Sequence, residues 1–133
     1  MYPDSEADWR PPTGTSVLLL PAGRWWDAVK APHRVGEFAL KLLAYDTGGV
    51  IEDSYGGHLY WLVRTGSAAD WRLPHVTVLS TACYVAVPPA HRTEGFGVRW
   101  LVPCEPGHAL TDAADLWEAL DAALGALGDA GPP

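Results

Sequence analysis

The sequence predicts an α+β or mixed α/β fold: one domain on a central mixed or antiparallel sheet of about six to seven strands, with two main helices. Three observations carry this expectation. Short apolar runs of strand length recur along the chain, and each is stopped by Pro or Gly. Only two stretches repeat their apolar residues at helical spacing. One glycine pair, Gly56-Gly57, joins two strand-like runs as a hairpin. With 133 residues and 48% hydrophobic content, the chain has the size of a single domain that closes its core without staples.

The elements follow in order. Residues 1–15 are rich in Pro, Gly, Asp, Ser and Thr, so they are expected to form a flexible segment ahead of a globular unit over 16–127. Ser16-Val17-Leu18-Leu19-Leu20 is a continuous apolar strand ended by Pro21-Ala22-Gly23. A second strand is expected over Trp25-Trp26-Asp27-Ala28-Val29-Lys30. Pro32 suits the first turn of a helix, which has no use for its missing N–H. Val35, Phe38, Ala39, Leu42 and Leu43 then place one apolar stripe on a helix over 33–45, closed by Gly48-Gly49. Val50-Ile51-Glu52-Asp53 and His58 to Arg64 form the hairpin. Val76 to Leu79, Cys83 to Val87 and Val98 to Val102 are three further strands, the last two ended by Pro88 and Pro103. Thr111 or Asp112 caps a final helix whose Leu116, Leu120, Leu124 and Leu127 form an apolar line. Residues 128–133 read as a flexible tail.

Tryptophan is abundant, and most of it is expected in the core. Trp25, Trp26, Trp61 and Trp100 fall in predicted strands, where complete burial contributes roughly 2 to 3 kcal/mol each. Trp25 and Trp26 are adjacent, so they point to opposite faces: one against a helix, the other at a surface or partner.

Charge and composition exclude several classes of function. The net charge is −7 with nine Lys plus Arg, which disfavours duplex DNA as a partner, because affinity there comes from neutralising phosphates. Cys83 and Cys104 are a pair in or next to predicted strands and suggest no disulfide framework, so they are read as reduced and the protein as cytoplasmic. No apolar run reaches membrane-spanning length and Met1 to Glu6 lacks a basic leader, so no membrane partner is expected. Five His and two Cys show no zinc spacing, and Cys104 with His108 across Pro106-Gly107 is a loop coincidence. Neither Thr47-Gly48-Gly49 nor Gly95-Phe96-Gly97 carries the Gly-Lys-Ser/Thr ending of a phosphate loop, and no serine or cysteine sits in a nucleophile elbow. No metal and no cofactor are expected.

The hairpin is where an ionisable group is aimed by backbone geometry. If its second strand alternates, His58, Tyr60, Leu62 and Arg64 share one face and Leu59, Trp61 and Val63 the other. His58 then stands at a sheet end, either as a ligand contact or as an edge residue bonded to a neighbour. Arg24, Arg92 and Arg99 lie near strand ends and are candidate anion contacts, with solvated surface positions as the alternative.

Taken with the Pro-Pro loop, the hairpin resembles the later part of the primase/polymerase domain at the N-terminus of bifunctional primase-polymerases, an archaeo-eukaryotic primase-like fold. Gly56-Gly57-His58-Leu59-Tyr60-Trp61 is similar to that family's Gly-Gly-x-His block, whose histidine contacts the incoming nucleotide. Tyr84-Val85-Ala86-Val87-Pro88-Pro89-Ala90, then Gly95 and Trp100, are similar to its Tyr-x-x-x-Pro-Pro-Ser, Gly, Trp ending. The resemblance covers residues 17–103 and implies a nucleotide cleft at His58. The departures concern metal. Family polymerases place an acidic pair on an early strand and a further aspartate before the Tyr block, to hold two ions for in-line displacement. Here the early strand offers Asp27, followed by Ala28 and Val29; the later aspartate position falls near Thr77, with Leu79 where an arginine is usual, and Ala82-Cys83 replace glycines.

The expectation is therefore a degenerate, stand-alone relative: a non-catalytic binding or regulatory protein that uses a remnant nucleotide cleft or the adjoining surface. Its ligand contacts would be His58, Tyr60, Arg24, Arg92 and Arg99. The expected partners are a nucleotide or small anion, and a protein partner or second copy through an exposed Trp-bearing edge strand. The alternative is a small enzyme in which His58 and Asp27 meet across neighbouring strands as an acid-base pair acting on a nucleotide-like or other small substrate.

Overall fold

The computed structural model describes residues 8–128. It is an α+β domain with two helices and seven strands, divided into a five-stranded and a two-stranded antiparallel sheet. The strands are β1 (Leu18–Pro21), β2 (Asp27–Pro32), β3 (Val50–Asp53), β4 (His58–Val63), β5 (Thr77–Leu79), β6 (Tyr84–Val87) and β7 (Val98–Val102). The helices are α1 (His33–Leu42) and α2 (Ala113–Gly128). The larger sheet runs β5-β2-β4-β3-β7, so the histidine strand β4 lies at its centre, and β1 pairs with β6 in the smaller one.

Both faces of the larger sheet are covered, and the alternation of β4 decides what meets what. Leu59, Trp61 and Val63 point to the face that carries both helices, where they pack with Val35, Ala39, Leu40, Leu116 and Leu120. Tyr60 and Leu62 point to the opposite face, which Trp9, Trp26, Val85, Val87 and Trp100 fill beneath the β1–β6 ribbon. The layers are thus helices, five-stranded sheet and ribbon. Helix α1 comes close to β4 at Gly36, where a Cβ would sit 2.9 Å from Leu59 Cδ1. Trp61 is fully buried and donates its indole N–H to Thr47 Oγ1 at 3.1 Å, which ties the central strand to the loop after α1.

Several boundaries differ from expectation, each for a physical reason. Helix α1 ends at Leu42 rather than 45, because Ala44 and Tyr45 take positive φ of 55° and 65° and turn the chain. Of the two cap candidates for α2, Asp112 does the capping: its Oδ2 accepts from Asp115 N at 2.9 Å. Thr111 instead accepts from Gly48 N through its hydroxyl at 2.9 Å. Trp25 and Trp26 precede β2 rather than lying in it. Trp26 is fully buried, but against the ribbon-side core and edge-on to Trp9 (5.6 Å), not against a helix. Trp25 is partly buried beneath the Arg24 guanidinium, 4.8 Å from its ring centroid.

Composition also understates the order of the N-terminal segment. Trp9 is 7% exposed within the core, and Pro12 C=O accepts from Ala90 N at 2.8 Å, so the stretch around Trp9 to Pro12 packs on the domain. The rest of the expected flexible segment, residues 1–7, and the tail over 129–133 lie outside the described residues. Among the described residues, no helix is long and apolar enough to cross a membrane.

Candidate functional site

The hairpin turn is built by Asp53. Its Oδ1 accepts from Tyr55 N at 3.0 Å and from Gly56 N at 3.1 Å, and Gly57 takes a φ of 74°, which glycine adopts freely. This geometry delivers His58 as the first residue of β4. Its cross-strand neighbours are Asp53 on β3 and Pro32 on β2, and next along its face Tyr60 stands opposite Lys30. His58, Tyr60, Lys30 and Asp53 are all partly exposed at one end of the ribbon-side face.

The Lys30 ammonium and the Asp53 carboxylate act on His58 in opposite directions. The His58 imidazole is held below its ordinary pKa of 6.5, first by burial and then by the Lys30 ammonium; Asp53 and a hydrogen bond with the Gly56 backbone pull the other way. Burial, with Asp53 second, pushes the Tyr60 phenol up, so it stays a neutral donor near pH 7. Among the described residues the Lys30 ammonium has no hydrogen-bond or ion-pair partner.

The structure does not bring Asp27 to this group. Asp27 pairs with Val63 and His58 with Pro32, so the two occupy opposite ends of the β2–β4 ladder, about 17 Å apart along the strand. They also face opposite ways, since Val63 packs on the helix side and Tyr60 on the ribbon side. The expected acid-base pair is therefore corrected: antiparallel register sends the start of one strand to the finish of its neighbour. Asp27 is 1% exposed, and its carboxylate is committed to the fold, Oδ2 accepting from Gly66 N and Oδ1 from Ser80 Oγ, both at 2.8 Å. It fastens the loop after β4 and the end of β5 to the start of β2.

The three arginines separate. Arg24 stacks on Trp25 in the turn before β2, at the Asp27 end. Arg99 lies opposite Glu52 on the helix-side face: its Nε and Nη2 meet Glu52 Oε1 at 2.8 and 2.6 Å, and its Nη1 donates to Thr93 C=O at 2.9 Å. Arg92 is near the hairpin turn, its Nη2 and the Tyr55 ring both lying beside Gly97. It lies in the exposed loop before β7, which the turn holds through Ser54 N to Gly97 C=O at 2.9 Å and an edge-on contact of Tyr55 with Phe96 at 4.8 Å.

Two groups escaped sequence reasoning. Lys30 could have been found from alternation once β2 and β4 were paired, but nothing local sets it apart from any strand lysine. The second is a direct histidine-carboxylate contact, His33 Nε2 to Glu52 Oε2 at 2.8 Å, with Glu52 9% exposed. Arg99 on the other Glu52 oxygen already neutralises that carboxylate, so the trio clamps the start of α1 to β3 and β7. Cys83 and Cys104 are free thiols, and burial pushes Cys104 up to about 12, away from nucleophilic chemistry. No group of three or more His, Cys, Asp or Glu among the described residues is arranged to hold a metal ion. A cavity of about 510 Å³ opens beside β5, lined by Ala68, Trp71, Leu73 and Val78, with Arg72 its sole charged residue. No protein-family model, curated protein or solved structure matches this chain.

Proposed function

We propose that the chain is a non-catalytic binding protein that takes a small anionic, nucleotide-like ligand at the His58 end of the sheet, through His58, Lys30 and Tyr60, with Arg92 on the adjoining loop. The observation that carries this reading is the contrast in commitment. The one acid that the primase-like resemblance would keep as a metal ligand, Asp27, spends both oxygens on Gly66 and Ser80 inside the fold. The Lys30 ammonium and the His58 ring meanwhile stand together, partly exposed, at the hairpin that carries the resemblance. A phosphate there would gain the Lys30 charge, a protonated imidazole and the phenol O–H.

Thermal shift with nucleoside triphosphates, with and without magnesium, tests it. The expected result is stabilisation that needs no metal, of roughly 2.7 kcal/mol at a hundred times the dissociation constant. Lys30→Ala and His58→Ala should each remove most of that shift. Metal-dependent nucleotide incorporation that Asp27→Ala abolishes would overturn the reading, as would nucleotide stabilisation that neither variant alters.

A further inference from the structure

Among the described residues, the β1–β6 ribbon leaves one edge of β1 unpartnered, and the backbone pattern there is self-complementary. The ladder pairs Leu18 with Val87, Leu19 with Ala86, Leu20 with Val85 and Pro21 with Tyr84, and continues with Ala22 N to Cys83 C=O at 2.8 Å. Hydrogen-bonded pairs alternate along an antiparallel ladder, so Ala22, Leu20 and Leu18 direct their backbone groups to β6. Val17, Leu19 and Pro21 then direct theirs to the open edge. Pro21 fits this reading, because its missing N–H falls on the side where the ladder does not need it.

Side chains and charge agree with the backbone. Leu19 is 71% exposed and Tyr84 is 64% exposed, on the outward face of the ribbon, and Leu18 is 44% exposed. Natural edges are commonly guarded by Lys, by other charges or by bulges. Residues 11–23 and 73–90, which supply the whole ribbon and its turns, contain no Lys, Arg, Asp or Glu. Two copies of a chain of net charge −7 repel one another, and this neutral ribbon is where they can approach with the least repulsion.

We propose that β1 pairs antiparallel with β1 of a second copy, on a two-fold axis through Leu19. In this register Leu19 N–H meets the second copy's Leu19 C=O, and Val17 N–H meets the second copy's Pro21 C=O, each repeated by symmetry. Every outward N–H of the edge is satisfied, and the proline carbonyl is used while its absent donor is not required. The two ribbons become one four-stranded sheet, and the pairing is isologous, so it closes at two copies. The exposed Leu19 side chains then lie side by side across the new pair. The β1 edge carries leucine, whereas the edge strand β7 of the larger sheet carries Trp100, which is fully buried.

Sedimentation equilibrium of the full chain at about 100 μM, where a micromolar dimer is largely associated, should give twice the 14.3 kDa chain mass. Leu19→Lys sets two like charges face to face and should return the single-chain mass, with the far-UV spectrum kept because the side chain is exposed. Leu42→Lys, at a helical surface position 51% exposed and away from the ribbon, should remain dimeric. If Leu19→Lys fails to fold, hydrogen exchange on the unmodified chain decides: the Val17 and Leu19 amides should gain protection as concentration rises. A single-chain mass at that concentration, a dimer that survives Leu19→Lys or is lost equally in Leu42→Lys, or concentration-independent exchange at both amides would overturn the proposal.

Discussion

The two ends of the β2–β4 ladder each carry ionisable groups and use them in opposite ways. At the Asp27 end a carboxylate is 1% exposed and both of its oxygens are filled by Gly66 and Ser80. At the His58 end a lysine, an imidazole and a phenol share a half-exposed face, and the lysine has no counter-ion among the described residues. A buried charge is tolerated only when its hydrogen bonds are made inside the fold, which leaves it nothing to offer a ligand. A half-exposed, unpaired cation costs little in the free protein and keeps its capacity for binding. The difference teaches that the presence of a chemically able residue says less about function than whether the fold has already spent it.

Trp61 lies between the two ends and supports both, so its removal carries the largest expected cost. Trp61→Ala should destabilise by about 3 to 5 kcal/mol, by loss of a fully buried ring and of its bond to Thr47. Urea unfolding measures this directly. A cost under about 1 kcal/mol would mean that the central strand tolerates a cavity the packing argument forbids.

Asp27→Ala comes next, at about 2 to 4 kcal/mol, because it removes a carboxylate 1% exposed together with its two part-buried hydrogen bonds from Gly66 N and Ser80 Oγ. Ser80→Ala removes only one bond and should cost about 1 kcal/mol. The comparison breaks if Asp27→Ala is neutral in unfolding experiments, since the carboxylate would then be as uncommitted as Lys30.

Much of the fold is legible in the sequence. Proline and glycine punctuation marks the positions of the strands, and the period-2 pattern of β4 separates Leu59, Trp61 and Val63 from Tyr60 and Leu62. The splitting of the sheet into five and two strands is not legible, because β1 pairs with β6 past four intervening strands, β2 to β5, and no local signal encodes that partner. The burial of Trp9 is hidden for the same reason: its neighbours are polar and proline-rich, and only tertiary packing holds it. The Asp27–His58 pairing fails on register, which depends on the hairpin and on the long connection through α1 together. Both residues sit on adjacent strands as expected, yet at opposite ends and on opposite faces.

The pH dependence of the His58 end sharpens the comparison further. His58 has a folded pKa below its unfolded value of 6.5, so the unfolded chain binds more protons between the two. Its contribution to stability is therefore present above pH 6.5 and lost as pH falls through the lowered folded value. The thermal midpoint of the wild-type chain should fall over that window more than that of His58→Ala, and a ring-proton titration should place the His58 midpoint below 6.5. An anion bound beside Lys30 reverses the direction, because it favours the imidazolium; inorganic phosphate should move the midpoint upward. A midpoint that stays put in phosphate would remove the anion from this site.

The smallest effect is the most discriminating. His58→Ala removes a half-exposed side chain whose local partners are the Gly56 backbone and the charges of Lys30 and Asp53, so its cost in stability should stay under about 1 kcal/mol. Its neighbour on the other face of the same strand is Leu59, fully buried against Gly36 of α1, where Leu59→Ala should cost about 2 to 5 kcal/mol. One peptide unit thus separates a residue the fold needs from one it does not. Equal costs in urea unfolding would mean that His58 serves the fold as Asp27 does, and the two ends of the ladder would then be alike. Unequal costs, with ligand stabilisation lost only in His58→Ala, would place packing on one face of β4 and recognition on the other.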